Sequence, residues 1–104
     1  MLAQVLPGSW QVQILHPLGA MASLRLDLAP AGVFQGQLMK PTGVTAVQGQ
    51  WQITALNQIV LQGQETNGFM FLPYMVMIQF QQVTPNQLNG ASVAGEQVIW
   101  QRIQ

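Results

Sequence analysis

The chain reads as an all-β protein, an eight-stranded antiparallel up-and-down meander curled into a small barrel, with residues 1–104 forming a single β-barrel domain. Three observations lead there. Turn signals recur at short, regular spacing: Pro7-Gly8, Pro17-Leu-Gly19, Pro30-Ala-Gly32, Pro41-Thr-Gly43, Leu56-Asn57, Asn67-Gly68, Pro85-Asn86 and Ala94-Gly95. That rhythm leaves no room for βαβ crossovers. The segments between the turns alternate apolar and polar residues with period two, as half-buried strands do. Finally, Gly36, Gly49, Gly63 and Gly90 fall inside those segments in phase with the apolar face. Glycine there weakens a flat strand but permits the coiling of a closing sheet, which favours a barrel over a flat two-layer sandwich.

The expected strands are 10–15, 21–28, 33–39, 45–55, 58–64, 74–83, 87–93 and 97–103. In the first, Trp10, Val12 and Ile14 share a face opposite Gln11 and Gln13. In the second, Leu24, Leu26 and Leu28 oppose Ser23, Arg25 and Asp27. Phe34 and Leu38 oppose Gln35 and Gln37, and Val47, Trp51 and Ile53 oppose Gln48, Gln50 and Gln52. Tyr74, Val76, Ile78 and Phe80 oppose Met75, Met77, Gln79 and Gln81. One apolar and one largely glutamine face suit an antiparallel sheet with one side in water. A Gly-x-aromatic-Gln core recurs at Gly8, Gly32 and Gly49. Its uneven spacing marks turns entering strands rather than a solenoid repeat. No helix is evident.

Only Arg25, Asp27, Lys40, Glu65, Glu96 and Arg102 are charged, 6% of the chain with zero net charge, against roughly a quarter in ordinary domains. Eighteen glutamines supply the polar surface instead. A chain without a basic face is not expected to bind nucleic acid. The absence of cysteine excludes disulfides and thiolate metal sites. The N-terminal run Met1–Leu6 lacks a positive flank and ends at Pro7-Gly8, so no signal peptide is read there. The most apolar stretch, 69–80, is too short for a spanning helix and holds Pro73. These features lead us to expect a soluble, cytoplasmic protein with no membrane partner.

Placed in order, Gly8-Ser9-Trp10 opening the first strand and Trp100-Gln101-Arg102 on the last resemble the calycin signature of lipocalins and avidins. Gly32-Val-Phe-Gln-Gly36 and Leu88-Asn-Gly90 resemble avidin-type strands. The likeness spans most of the chain through short motifs. It implies a calycin-like barrel with an interior or mouth lined by Trp10, Phe34, Trp51, Tyr74, Phe80 and Trp100, and hence a small apolar ligand. It does not extend to biotin. The stretch after Trp10 reads Gln11-Val12-Gln13-Ile14 where avidin-like proteins carry polar ligand contacts, and Gln35-Gly36-Gln37-Leu38 lacks the family's tyrosine and serine or threonine. In a closed meander of even strand number the last strand runs antiparallel to the first. Arg102 then lies near Trp10, where a guanidinium over an indole closes the barrel floor and contributes roughly 0.5–2 kcal/mol.

The inventory for chemistry is short. His16, the one histidine, sits in the Leu15-His16-Pro17 turn, and a triad would need Asp27 and one of Ser9, Ser23 or Ser92 to converge on it. No nucleophile elbow or phosphate loop is present. His16, Asp27, Glu65 and Glu96 show no paired metal-ligand spacing. Glu65 and Glu96 are expected as solvated carboxylates beside turns, and Arg25 and Asp27 as a surface ion pair. Catalytic residues, metal and cofactor are therefore all expected to be none.

Two features could carry binding. Residues 68–77 form the longest apolar run and the expected longest connection, between strands five and six, and include Phe69, Met70, Phe71, Met75 and Met77. Flexible methionines with aromatics suit an adaptable contact surface. The alternative is that this loop folds back to close one barrel end. The nearly uncharged glutamine face lacks the lysines that keep sheets apart, which favours a homodimer or higher homo-oligomer. The sequence thus leaves a small-ligand-binding barrel, an interaction module (including inhibitor-like roles) and, last, an enzyme.

Overall fold

A computed structural model of the chain describes residues 2–19 and 21–103. A one-turn helix, α1 (Leu2–Val5), precedes eight strands: β1 (Gly8–Leu15), β2 (Met21–Leu28), β3 (Val33–Lys40), β4 (Gly43–Ala55), β5 (Gln58–Thr66), β6 (Phe71–Val83), β7 (Gln87–Ser92) and β8 (Gln97–Arg102). Each strand pairs antiparallel with its sequence neighbours, and β1 pairs with β8, so the sheet closes into an up-and-down barrel. The period-two pattern decides which side chains enter: Trp10, Leu26, Phe34, Leu61, Leu88 and Trp100 are each at most 1% exposed. Most of their neighbours along the strands, among them Gln11, Gln35, Gln62, Gln87 and Gln101, are exposed or half-buried, while Val60 in β5 is buried beside Ile59 and Leu61.

Closure needs sharp bending, and one pair of glycines provides it. Gly49 of β4 lies directly opposite Gly63 of β5. A Cβ on either would sit 2.6 Å from the other's Cα, far inside contact distance, so only glycine lets these backbones approach here. Two irregularities add coil. The β4–β5 register shifts between Ile53 and Ala55, and the β6–β7 register between Phe80 and Gln82. The tight β4–β5 turn places Asn57 at φ 55°, a left-handed conformation that asparagine tolerates better than most residues.

The connections after β2, β4 and β6 share one end of the barrel with α1, which forms the floor; those after β1, β3, β5 and β7 surround the mouth. At the floor, the Arg102 guanidinium carbon stands 4.3 Å from the centre of the Trp10 ring. Its Nε donates to Pro85 O at 2.7 Å, one Nη to Pro7 O at 3.1 Å and the other to Val5 O. Trp10 Nε1 donates to Leu6 O at 2.8 Å. One side chain thus ties β8 to β1, to the β6–β7 turn and to the chain leaving α1, whose Leu2, Val5 and Leu6 are buried.

The structure differs from the sequence reading at four places. Helix α1 was not expected. One turn is too short to show a helical period, and it forms because three apolar side chains cover the floor. β6 begins at Phe71, so residues 67–70 make a four-residue turn rather than a long loop. Pro73 fits because β7 pairs only with Ile78–Val83, leaving 71–77 with β5 on one side and no β7 residue on the other. Lys40, one residue past the expected third strand, ends β3, and Glu65, one past the expected fifth, lies in β5, where the two form an ion pair at 2.7 Å. Asp27 accepts a 2.6 Å hydrogen bond from Ser9 Oγ, and the ion pair found among the described residues is Lys40–Glu65, not Arg25–Asp27.

Arg102→Lys keeps the charge but loses the planar fork that reaches three carbonyls. It is expected to cost about 2 kcal/mol of stability. Urea denaturation measures this, and a change under about 0.5 kcal/mol would show that the clamp is dispensable.

Candidate ligand-binding site

The barrel is filled unevenly. Its lower half is packed: Trp100 meets Trp10 edge-on at 5.8 Å between ring centres, and Phe80 meets Trp100 at 5.3 Å and 88°. Above this aromatic layer lies a cavity of about 280 Å³. Aliphatic side chains from most strands wall it, among them Val12, Ile14, Leu24, Leu38, Leu61 and Ile78. Ala22 contributes only a methyl group, which helps keep the space open. The polar groups are few: Lys40, Tyr74, Ser92, Glu96 and the Trp100 indole.

Each polar group has a definite setting. Lys40 Nζ donates to Glu65 Oε2, which also accepts from Thr45 Oγ1 at 2.8 Å. The Lys40 ammonium holds the Glu65 carboxyl below the usual carboxylate range, with Thr45 assisting against the opposing effect of burial. Ser92 Oγ and Glu96 Oε1 lie 3.4 Å apart, and Glu96 N donates to Ser92 Oγ at 3.2 Å. Burial, with the Glu65 and Glu96 charges nearby, pushes the Tyr74 hydroxyl up to about 12, so it remains a neutral donor. The Trp100 indole N–H is buried and has no acceptor among the described residues.

Of the six aromatics expected to line a ligand site, Tyr74 and Trp100 line this cavity. Trp10 belongs to the floor. Phe34 is buried 6.3 Å from the Tyr74 ring, and Phe80 supports Trp100 from the side. Trp51 is partly buried at the floor end, where its Nε1 donates to Ala29 O at 2.9 Å and braces the β2–β3 turn. The rim groups Lys40, Ser92 and Glu96 were missed. Strand phase alone points to Lys40 and Glu65, since each shares its strand's apolar register: Lys40 with Phe34 and Leu38, Glu65 with Ile59 and Leu61. The segment expected as a contact surface presents Phe69 at 94%, Phe71 at 65% and Met75 at 63% exposure, while Met77 is half-buried.

A larger concavity, about 620 Å³, lies over the outer face of β3–β5 where the strands bend at the glycine pair. Its lining is mainly glutamine. The interior space is the stronger candidate because apolar walls with a few fixed polar groups are what small-molecule sites require. His16 is exposed in its turn, where its Nδ1 accepts from Leu18 N at 3.2 Å. No three histidine, aspartate or glutamate side chains converge to hold a metal ion among the described residues.

Tyr74 is the chain's one tyrosine, so ultraviolet phenolate absorbance reports it alone, and its midpoint is expected near pH 12 instead of 10. Because the folded state retains this proton more tightly than the unfolded chain, stability is intact below pH 10 and falls as pH rises towards 12. Tyr74→Phe should flatten that fall in denaturant midpoints. An ordinary titration near pH 10 would show that the hydroxyl is solvated.

No protein-family model matches the chain, and no curated protein matches it. Among solved structures it is similar to a redesigned β barrel, at 18% identity and a TM-score of 0.64, with 98% of this chain and 95% of that one covered. It is also similar to a de novo designed fluorescence-activating β barrel, at 14% identity and a TM-score of 0.62, with 97% and 96% covered. At these identities the likeness carries the fold alone: a small, closed, eight-stranded antiparallel barrel.

Proposed function

We propose that the chain is a non-enzymatic, calycin-like binding protein that holds a small, largely apolar molecule in the upper half of its barrel. The observation that carries this reading is the contrast between a packed floor and an unfilled, apolar-walled space of about 280 Å³ above it. Small barrels can fill their interiors with side chains, and this one does so only below Trp100. A cavity with the walls and few polar groups described above suits a ligand with an apolar body. That a similar barrel is described as fluorescence-activating is compatible with the reading. Native mass spectrometry of protein purified without denaturation is expected to show a discrete small-molecule adduct on each subunit. Ala22→Phe, which fills the cavity from its wall, should abolish the adduct while circular dichroism stays unchanged. An adduct that survives this substitution is bound elsewhere.

A second reading, self-association, has its own support in the free edge of β6. Residues 71–76 lack a strand on the β7 side, Met77 O being taken by Val93 N at 3.1 Å, and Phe69, Met70, Phe71, Leu72 and Met75 beside that edge are exposed and uncharged. An exposed apolar edge is a template for another strand, and a second copy pairing antiparallel through β6 would cover it. Light scattering is expected to give a dimer mass that Phe71→Lys with Met75→Lys returns to monomer. A monomer at high concentration in the unsubstituted protein would rule this interface out.

A further inference from the structure

We propose that the molecule bound in the barrel is a neutral compound of about ten heavy atoms carrying a carbonyl-type oxygen that accepts from Trp100 Nε1, and that carboxylates are excluded. The inference rests on the interior being a binding cavity and names what that cavity selects.

Size comes first. Filling 280 Å³ at the packing density of an organic liquid, roughly half the volume, takes about ten non-hydrogen atoms. Polarity follows from Trp100. An indole N–H only donates, and a buried donor without an acceptor is a rare and unfavourable feature. Trp100 is 0% exposed, lines the cavity and has no acceptor among the described residues. The other two indoles are satisfied within the chain, Trp10 by Leu6 O and Trp51 by Ala29 O. Trp100 borders the cavity while its N–H is closed to a water-sized sphere, so the missing acceptor comes from a ligand that enters the cavity and shifts the side chains packed around this indole, and Tyr74 supplies a second neutral donor on the same lining. Charge decides which acceptor. Around the cavity stand one ammonium, Lys40, already held by Glu65, and a further carboxylate, Glu96. Burial, and after it the Glu65 and Glu96 charges, raises the Tyr74 hydroxyl's pKa, so the space is unfavourable to negative charge. An anionic head would meet two carboxylates with one engaged cation. A neutral oxygen meets two donors.

Three probes of nearly the same shape separate these terms: acetophenone, α-methylstyrene, in which a CH₂ replaces the oxygen, and benzoate. Binding is followed on ¹⁵N-indole-labelled protein, with Trp10 and Trp51 as internal references. Acetophenone is expected to bind about tenfold or more tighter than α-methylstyrene and benzoate. It should move the Trp100 Nε1–H resonance downfield while the other two indoles stay in place. Trp100→Phe should abolish the preference for acetophenone over α-methylstyrene; if that variant does not fold, the comparison on unsubstituted protein decides alone. Equal binding of acetophenone and α-methylstyrene would overturn the acceptor inference and leave the cavity reading standing. Benzoate binding as tightly as acetophenone would overturn the exclusion of carboxylates. Failure of all three probes to bind would remove the binding-cavity reading along with this one.

Discussion

Eight strands close into a barrel only when the first and last meet in register and something holds them there, and in this molecule that task falls to Arg102. Its guanidinium lies on the Trp10 ring and reaches carbonyls of three separate segments: Val5 at the end of α1, Pro7 before β1 and Pro85 in the β6–β7 turn. A planar cation with several fixed donors is suited to collecting carbonyls that no strand satisfies. The Trp10 Nε1 bond to Leu6 O completes the plug. With α1 laid across it, the floor becomes a dry, packed layer, and the rest of the interior is built upwards from it.

That floor sets where a ligand can go. Trp100 and Phe80 complete an aromatic layer above Trp10, and the side chains higher up are aliphatic and smaller. Space therefore accumulates towards the mouth, and polar groups gather at its rim. Lys40 and Glu65 illustrate how a barrel admits charge on its inner phase: the two neutralise each other and Thr45 adds a hydrogen bond, so neither is left uncompensated. The Trp100 N–H is the buried side-chain donor left without an acceptor among the described residues, in a residue that borders the cavity.

The outer surface follows a different logic. Glutamine supplies much of the polarity of the outward sheet face, with few charges. Most strand edges are consumed by barrel closure. One exception is the mouth-ward part of β6, which runs on past the point where β7 ends at Ser92. Pro73 sits in that stretch, and a residue without an N–H is compatible with an edge that closure leaves open.

Much of the fold was legible in residue order alone. Period-two alternation names most of the inward side chains of β1, β2, β3, β4 and β6, because successive side chains must point to opposite faces, while Val60 is buried out of that phase and Ile53 is exposed at the end of β4. Turn residues count the strands, and the in-phase glycines indicate that the sheet coils. Trp10 and Arg102 were legible as a pair because an even-stranded closed meander places them together. The height of each inward residue within the barrel was not legible, since register and stagger between neighbouring strands set it. Six inward aromatics looked equivalent as a list, yet the fold sends Trp10 and Trp51 to the floor end, uses Phe34 and Phe80 as packing, and leaves Tyr74 and Trp100 at the cavity. The ion pair of Lys40 with Glu65 and the unpartnered Trp100 N–H likewise belong to tertiary structure. Each depends on residues far apart in the chain, and local pattern carries no information about the distance between them.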